Sequence, residues 1–194
     1  MSVRQAVTID EIRRMLVAAP NEQQALFIAL LWYTGGRCSE VLSIQPDNID
    51  KGVIIMPNLK QHNKNGKVPY KVVYVPEVVT SRIQAYIEEN EITGFLFSGN
   101  GLKAWHRGSA WKIVKRIAAT ADVIKVGRNG KFTPAWPHTA RHGNAEYLYA
   151  KTKDILFVRD QLGHSNLQNT QVYAVVSSEQ RKRLVEEVFA ELPT

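Results

Sequence analysis

ALFIALLWYTGGRCSEVL, residues 25–42, joins an apolar run to a pair of glycines and then to an arginine. From Ala25 to Tyr33 almost every position is apolar, so a helix here has no polar face to turn to water and belongs at the centre of a domain. Thr34, Gly35 and Gly36 end it, because glycine readily takes the turn conformations that close helices. Cys38 to Ser43 resumes as a short helix, with Arg37 at the junction and Glu40 one turn further on. A carboxylate at that spacing can hold a guanidinium in one orientation. The plainer alternative is a surface ion pair worth about 0 to 1 kcal/mol. The apolar run is shorter than the ~20 residues that cross a bilayer, so no membrane span is expected.

Upstream, Thr8-Ile9-Asp10-Glu11 has the form of a capping box, in which threonine and glutamate reach reciprocally for unpaired amides. It predicts a helix to about Ala19, broken by Pro20-Asn21 before the second helix from Glu22 to Tyr33. Downstream, GVIIM (52–56) and VVYVP (72–76) are short and β-branched. They predict an antiparallel hairpin whose long tip, LKQHNKNGKVPYK (59–71), is rich in Lys, Asn and Gly. Glu77 to Asn90 reads as a helix, FLF (95–97) as a short third strand, and Trp105 to Ala119 as another helix. VGRNGKFTPAW (126–136) is a basic loop or irregular hairpin, and Pro137 then opens a helix where its missing amide costs nothing. Short helices follow around Asp154 to Leu162 and Leu167 to Tyr173. In the tail at 178–194, Leu184, Val185, Val188, Phe189 and Leu192 form one helical stripe. With no repeat, low-complexity segment or linker, the expected fold is a single unit, mainly α with a small antiparallel β-sheet (α+β).

The 194 residues are 44% hydrophobic and 22% charged, ordinary globular values that exclude a disordered or fibrous chain. The single cysteine, Cys38, allows no internal disulfide and no cysteine-based zinc cage. The five histidines, His62, His106, His138, His142 and His164, lack the accompanying carboxylates or cysteines of a zinc site. Neither a metal nor another cofactor is expected. MSVRQAVTIDEIRR at the start has no signal-peptide core, so a cytoplasmic setting is expected. A net charge of +7 and a pI near 9.5 suit a polyanionic partner, because each cation placed on a phosphate releases a condensed counterion.

In PHTAR (137–141) His138 and Arg141 project from the same face at a helix start and can address one ligand together. His142 reads as structural, pointing elsewhere on the helix. Lys60 ends the first strand of the basic hairpin, with Lys64, Lys67 and Lys71 further round it. LGHSNLQNTQVYA (162–174) sets His164 and Tyr173 in a polar surround. Each has a bland reading: a helix cap, a solvated cation, a solubilising loop, a packed tyrosine.

TGGRCSEVLSIQ, the lysine-bearing hairpin, HTARH and LGHSNLQNTQVYA, in this order and spacing, resemble the catalytic domain of the tyrosine recombinases, the phage integrase family. The resemblance runs from about Thr8 to the C-terminus. It implies a catalytic set of Arg37, Lys60, His138, Arg141, His164 and Tyr173, with Glu40 supporting Arg37. Two arginines would stabilise charge building on a pentacovalent phosphorus. Tyr173 would attack the phosphorus to give a 3′-phosphotyrosine and a free 5′-hydroxyl. A tyrosine with a reference pKa of ~10 needs a base and a positive site for this. The resemblance gives the base as His138, the acid for the leaving oxygen as Lys60, and a phosphate hydrogen bond to His164. The ester keeps the bond energy, so neither ATP nor a metal is called for.

Two features depart from the family pattern. Gly36 stands where a larger residue is more usual, which would loosen the turn. The hairpin tip is also longer than common, which leaves Lys64 and Lys67 as further candidates for the acid. The resemblance also implies double-stranded DNA as partner and self-association into a tetrameric synapse, of the kind that serves mobile elements. The tail at 178–194 would dock on a neighbouring protomer or pack on its own core. Family members usually carry a further N-terminal helical domain, and only about seven residues precede the first helix here, so 1–194 is expected to be the catalytic domain alone. A type IB topoisomerase-like nicking and religating enzyme and a catalytically silent DNA-binding relative are the alternatives. Tyr173 is expected to stand away from the arginines until DNA and a neighbouring protomer assemble the site.

Overall fold

The computed structural model of the chain describes residues 6–59, 66, 68–99, 102–127 and 129–163. Lys60, Lys64, Lys67, His164, Tyr173, the helix expected at 167–173 and the tail at 178–194 lie outside the described residues. Helix α1 (Ile9–Ala18) starts on the capping box: the Thr8 amide donates to Glu11 Oε2 at 2.7 Å and the Glu11 amide to Thr8 Oγ1 at 3.3 Å. Helix α2 (Glu22–Thr34) is the buried axis, with Leu26, Phe27, Ile28, Leu30 and Leu31 all at or below 1% exposure. Helix α3 (Cys38–Leu42) follows the glycine turn, and a 3-10 turn at Pro46–Asn48 leads into the sheet.

The sheet runs β1 (Ile49–Asp50), β2 (Val53–Pro57) and β3 (Tyr70–Tyr74), antiparallel and in that spatial order. Helices α4 (Glu77–Glu89) and α5 (Arg107–Thr120) come next, then a two-stranded ladder of β4 (Ile124–Val126) and β5 (Phe132–Pro134). Helix α6 (Pro137–Thr152) opens on its proline, and α7 (Ile155–Leu162) is capped by Asp154, whose carboxylate accepts the Leu156 and Phe157 amides. The mainly helical fold with small antiparallel sheets is the expected one.

Two local expectations are corrected. FLF at 95–97 is not a strand, and the third strand is β1. Leu96 and Phe97 are fully buried because Phe97 packs against Phe27 (4.9 Å) and Trp105 (5.7 Å). Their backbone is paired irregularly: the Leu96 amide donates to Ile44 O, and the Gln23 side-chain amide donates to the Leu96 and Ser98 carbonyls. The basic stretch at 126–136 contains a regular ladder, which begins earlier, at Ile124.

Gly35 closes α2 in the left-handed region at φ 56°, and a Cβ there would fall 2.4 Å from Leu162 Cδ2 and 2.6 Å from Asn144 Oδ1. Only glycine fits both the backbone angle and the approach of α6 and α7. The turn is tight at Gly36, against the expectation of a looser one. Its amide donates to Thr34 Oγ1, and a Cβ would sit 2.9 Å from that oxygen and 3.0 Å from Val41 Cγ2. The bulk missing from Gly36 is supplied by its neighbours.

Candidate active site

Arg37 is the N-cap residue of α3, and Glu40, one turn on, is fully buried. The Arg37 amide donates to Glu40 Oε2 (2.9 Å) and its Nη1 to Oε1 (2.7 Å), so backbone and side chain of the arginine are held by one carboxylate. This is not a surface ion pair, because the turn drives Glu40 inward. Lys71 enters from β3 and places Nζ 3.2 Å from Glu40 Oε2 with its side chain 7% exposed. In YKVVY the inward positions are Lys71 and Val73, so the two-residue period of the strand puts the lysine in the core side of the sheet.

Arg141 is 2% exposed, and its guanidinium donates to the carbonyl of Gly35 and, through Nη2, to that of Leu162 at 3.1 Å. The end of α2, the first turns of α6 and the end of α7 thereby meet on one side chain. His138 is exposed on the same helix, and its ring lies 4.4 Å from that of His142, edge to face. His142 therefore belongs to the site wall, correcting its assignment elsewhere on the helix. An i, i+4 spacing from His138 was the signal. Burial, with Arg141 adding to it, pushes the His142 imidazole below its ordinary value and favours its neutral form.

A cleft of about 560 Å³ is lined by Arg37, Arg141, His138 and His142, with Arg107 and Trp111 of α5 opposite. The structure thus brings together Arg37, Glu40, His138 and Arg141 of the expected set. Leu59, the residue before Lys60, also reaches the cleft wall. An adjoining groove runs past Trp111, Lys115, Asn129, Lys131 and Trp136. Lys115 Nζ sits 4.7 Å from the Trp111 ring centroid, and its ammonium also bonds Thr133 Oγ1. Arg107, Trp111 and Lys115 are not among the expected site residues; they share one face of α5, and their i, i+4 spacing is the signal for them in the sequence.

Charge in the cluster is lopsided. Burial alone would raise the Glu40 carboxyl, but Lys71 beside it and the hydrogen bonds from Arg37 hold it below the usual carboxylate range. Burial pushes the Lys71 ammonium down to about 8, against the pull of Glu40 and with a further push from Arg141. Arg37 and Lys71 thus share Glu40 as an ion-pair partner, and Arg141 adds positive charge beside Lys71. Such a surplus of positive charge, walled by protein and open on one side, favours an anion in the cleft. Cys38 lines the same cleft, but burial, partly offset by Arg107, raises its thiol to about 11. It is protonated at neutral pH and a poor competing nucleophile.

Among the described residues no three His, Cys, Asp or Glu side chains gather as a metal site, and no helix is long and apolar enough to cross a membrane.

The chain is 27% identical to the tyrosine recombinase XerA of Thermococcus kodakarensis over 98% of its own length and 67% of that protein's. Other curated relatives are matched over a smaller share of their own length, down to about half. Among solved structures, a XerA recombinase superposes with a TM-score of 0.72 at 19% identity, over 97% of this chain and 64% of the other. A XerH site-specific recombinase in a pre-cleavage complex with its difH substrate gives 0.72 at 21% identity, over 95% and 55%. These likenesses support the fold. The phage integrase family profile covers residues 5–180, which takes in the glycine turn, Arg37 and Arg141 and the stretch from Leu162 to Ala174, and the chain belongs to that family, the tyrosine recombinases.

Proposed function

We propose that the protein is a site-specific DNA recombinase or integrase that cuts and rejoins strands through a covalent 3′-phosphotyrosine on Tyr173. The observation that carries this reading is the pair of arginines on one cleft wall, each fixed by other protein groups: Arg37 by Glu40, Arg141 by the Gly35 and Leu162 carbonyls. Cations already held in place lose little freedom when a scissile phosphodiester arrives, so they stabilise charge as it develops on phosphorus. The exposed His138 imidazole stands beside them to take a proton.

In the reaction, Tyr173 Oη attacks phosphorus and its proton passes to His138. The P–O5′ bond breaks, and the departing 5′ oxygen takes a proton from Lys60. His164 donates to a non-bridging oxygen. A 5′-hydroxyl, from the same strand or a partner strand, reverses these steps. Neither ATP nor a metal enters this scheme. The groove along α5, with Arg107, Lys115 and Lys131, extends the positive surface along which a double-stranded DNA backbone runs. In this reading residues 1–194 act as a catalytic domain, and copies assemble on DNA as a tetrameric synapse aided by the tail at 178–194.

The test is covalent trapping on nicked suicide duplexes drawn from a randomised library. Wild type is expected to form a protein–DNA adduct that Tyr173→Phe does not. Absence of a wild-type adduct, or its persistence in Tyr173→Phe, overturns the reading. Supercoiled plasmid carrying paired trapped sites then separates recombination, which gives recombinant circles, from topoisomerase-like relaxation, which gives relaxed circles alone.

A further inference from the structure

The last three described residues before His164 are each tied to the three-stranded sheet. Gln161 Nε2 donates to the Tyr74 carbonyl at 2.6 Å. Lys71 Nζ donates to the Leu162 carbonyl at 3.1 Å, and Asn58 Nδ2 to the Gly163 carbonyl at 2.7 Å. Gly163 is in the left-handed region at φ 65°, and a Cβ on it would fall 2.7 Å from Lys71 Cδ and 2.9 Å from Asn58 Nδ2. The seat was built for a residue without a side chain, so the chain leaves α7 on one path. Asn58 is 4% exposed and its Oδ1 meets no donor among the described residues. A buried amide with one oxygen unsatisfied is a costly way to fill space, which argues that the bond to Gly163 is what the position supplies.

Lys71 itself does not line the cleft. It lies behind it, with Glu40 and Arg37 facing it from α3, Arg141 from α6, and a backbone carbonyl from α7. Its ammonium, at about 8, has the acidity of a competent proton donor, but two of its three N–H groups are engaged by Glu40 and Leu162, behind the cleft. We infer that Lys71 and Asn58 are positioning residues for His164: by holding the Leu162 and Gly163 carbonyls they set where the chain leaves α7, and so how His164 approaches a phosphate held by Arg37 and Arg141. In sequence, Asn58 and Lys71 also flank the hairpin tip that carries Lys60. The inference rests on the proposed role of His164 as a phosphate ligand.

A double-mutant cycle on the full chain tests it, with adduct formation at saturating nicked suicide duplex as the rate and DNA affinity and Tm as controls. Lys71→Met and Asn58→Leu are each expected to slow cleavage on the order of 10- to 100-fold with affinity nearly unchanged, as small misplacements of reacting groups do. In a His164→Ala background the same substitutions are expected to cost less than about 3-fold, because residues acting through one group are not additive. Lys71→Arg is expected to recover most of the rate, and a 5′-phosphorothiolate leaving group is expected not to rescue Lys71→Met. Equal losses with and without His164 overturn the inference, since that is what a purely structural role gives. So does thiolate rescue, which would make Lys71 the acid. If Lys71→Met lowers Tm enough to unfold the chain, Asn58→Leu, which disturbs no buried charge, carries the cycle alone. If His164→Ala cleaves at the wild-type rate, the phosphate-ligand reading of His164 fails, and this inference falls with it by a separate result.

Discussion

The cations at the junction of α3 and α6 and those along α5 line a cleft and its adjoining groove under opposite conditions. Arg141 is nearly sealed, bonded to two backbone carbonyls, and Arg37 is clamped by a buried carboxylate. Arg107 and Lys131 are exposed, and Lys115 rests on the half-exposed ring of Trp111. A cation bound on several sides keeps one geometry, which suits a transition state formed at one place. A solvated cation adapts to a backbone that varies from site to site, and salt screens it. Under the proposed function, the difference separates catalysis from grip.

Arg141→Ala is the sharpest way to break that division. It should lower cleavage on the order of 100- to 1,000-fold, as loss of a transition-state donor does, while affinity falls far less. Strand cleavage and DNA affinity measured side by side decide it: losses of equal size in both would place Arg141 with the gripping cations. It should also lower Tm, because the Gly35 and Leu162 carbonyls lose a donor at a cost of about 1 to 3 kcal/mol.

Glu40→Gln should destabilise the fold by about 3 to 5 kcal/mol, since Lys71 and Arg37 would be left without their counter-charge. The carboxyl is held below its ordinary 4.5, so the stability it contributes is complete at neutral pH and is lost as pH falls through its lowered folded value. Denaturant titrations across acid pH should show wild type converging on Glu40→Gln. A constant gap between them would mean the carboxylate is not what holds the cluster.

On the other side of the division, Lys115→Ala should weaken binding and reduce the slope of log affinity against log salt by about 0.9, one phosphate's worth. Cleavage at saturating DNA should stay within about 3-fold of wild type, since Lys115 lines the adjoining groove and not the cleft that holds Arg37 and Arg141. An unchanged salt slope would remove α5 from the DNA path. The smallest effect is expected at Cys38. Cys38→Ser should cleave at the wild-type rate, and alkylation by iodoacetamide at neutral pH should be slow, because the thiol stays protonated up to about 11.

Local chemistry made much of this legible in the sequence. The Thr8 and Glu11 capping box, the all-round apolar α2, the glycine turn at 34–36, and the helical spacings of Arg37 with Glu40 and His138 with Arg141 each depend on neighbours a turn away. What escaped depends on contacts distant in sequence. Lys71 was read as one more hairpin lysine, although its place in YKVVY, in step with the buried Val73, marked it as inward. FLF has strand-like composition, and an aromatic cluster with Phe27 and Trp105 took it instead. Glu40 reads equally as a surface partner, because nothing nearby in sequence tells of Lys71 and the sheet that bury it.

The bonds at Gln161, Leu162 and Gly163 also fix a pivot. Fully extended, the chain from Gly163 to Tyr173 spans at most roughly 35 Å at about 3.3 to 3.6 Å per residue. That radius takes in the cleft of the same subunit, whose Arg141 bonds the Leu162 carbonyl. The starting point of that tether, at Gly163, is fixed by Asn58 and Lys71 rather than by the cleft itself.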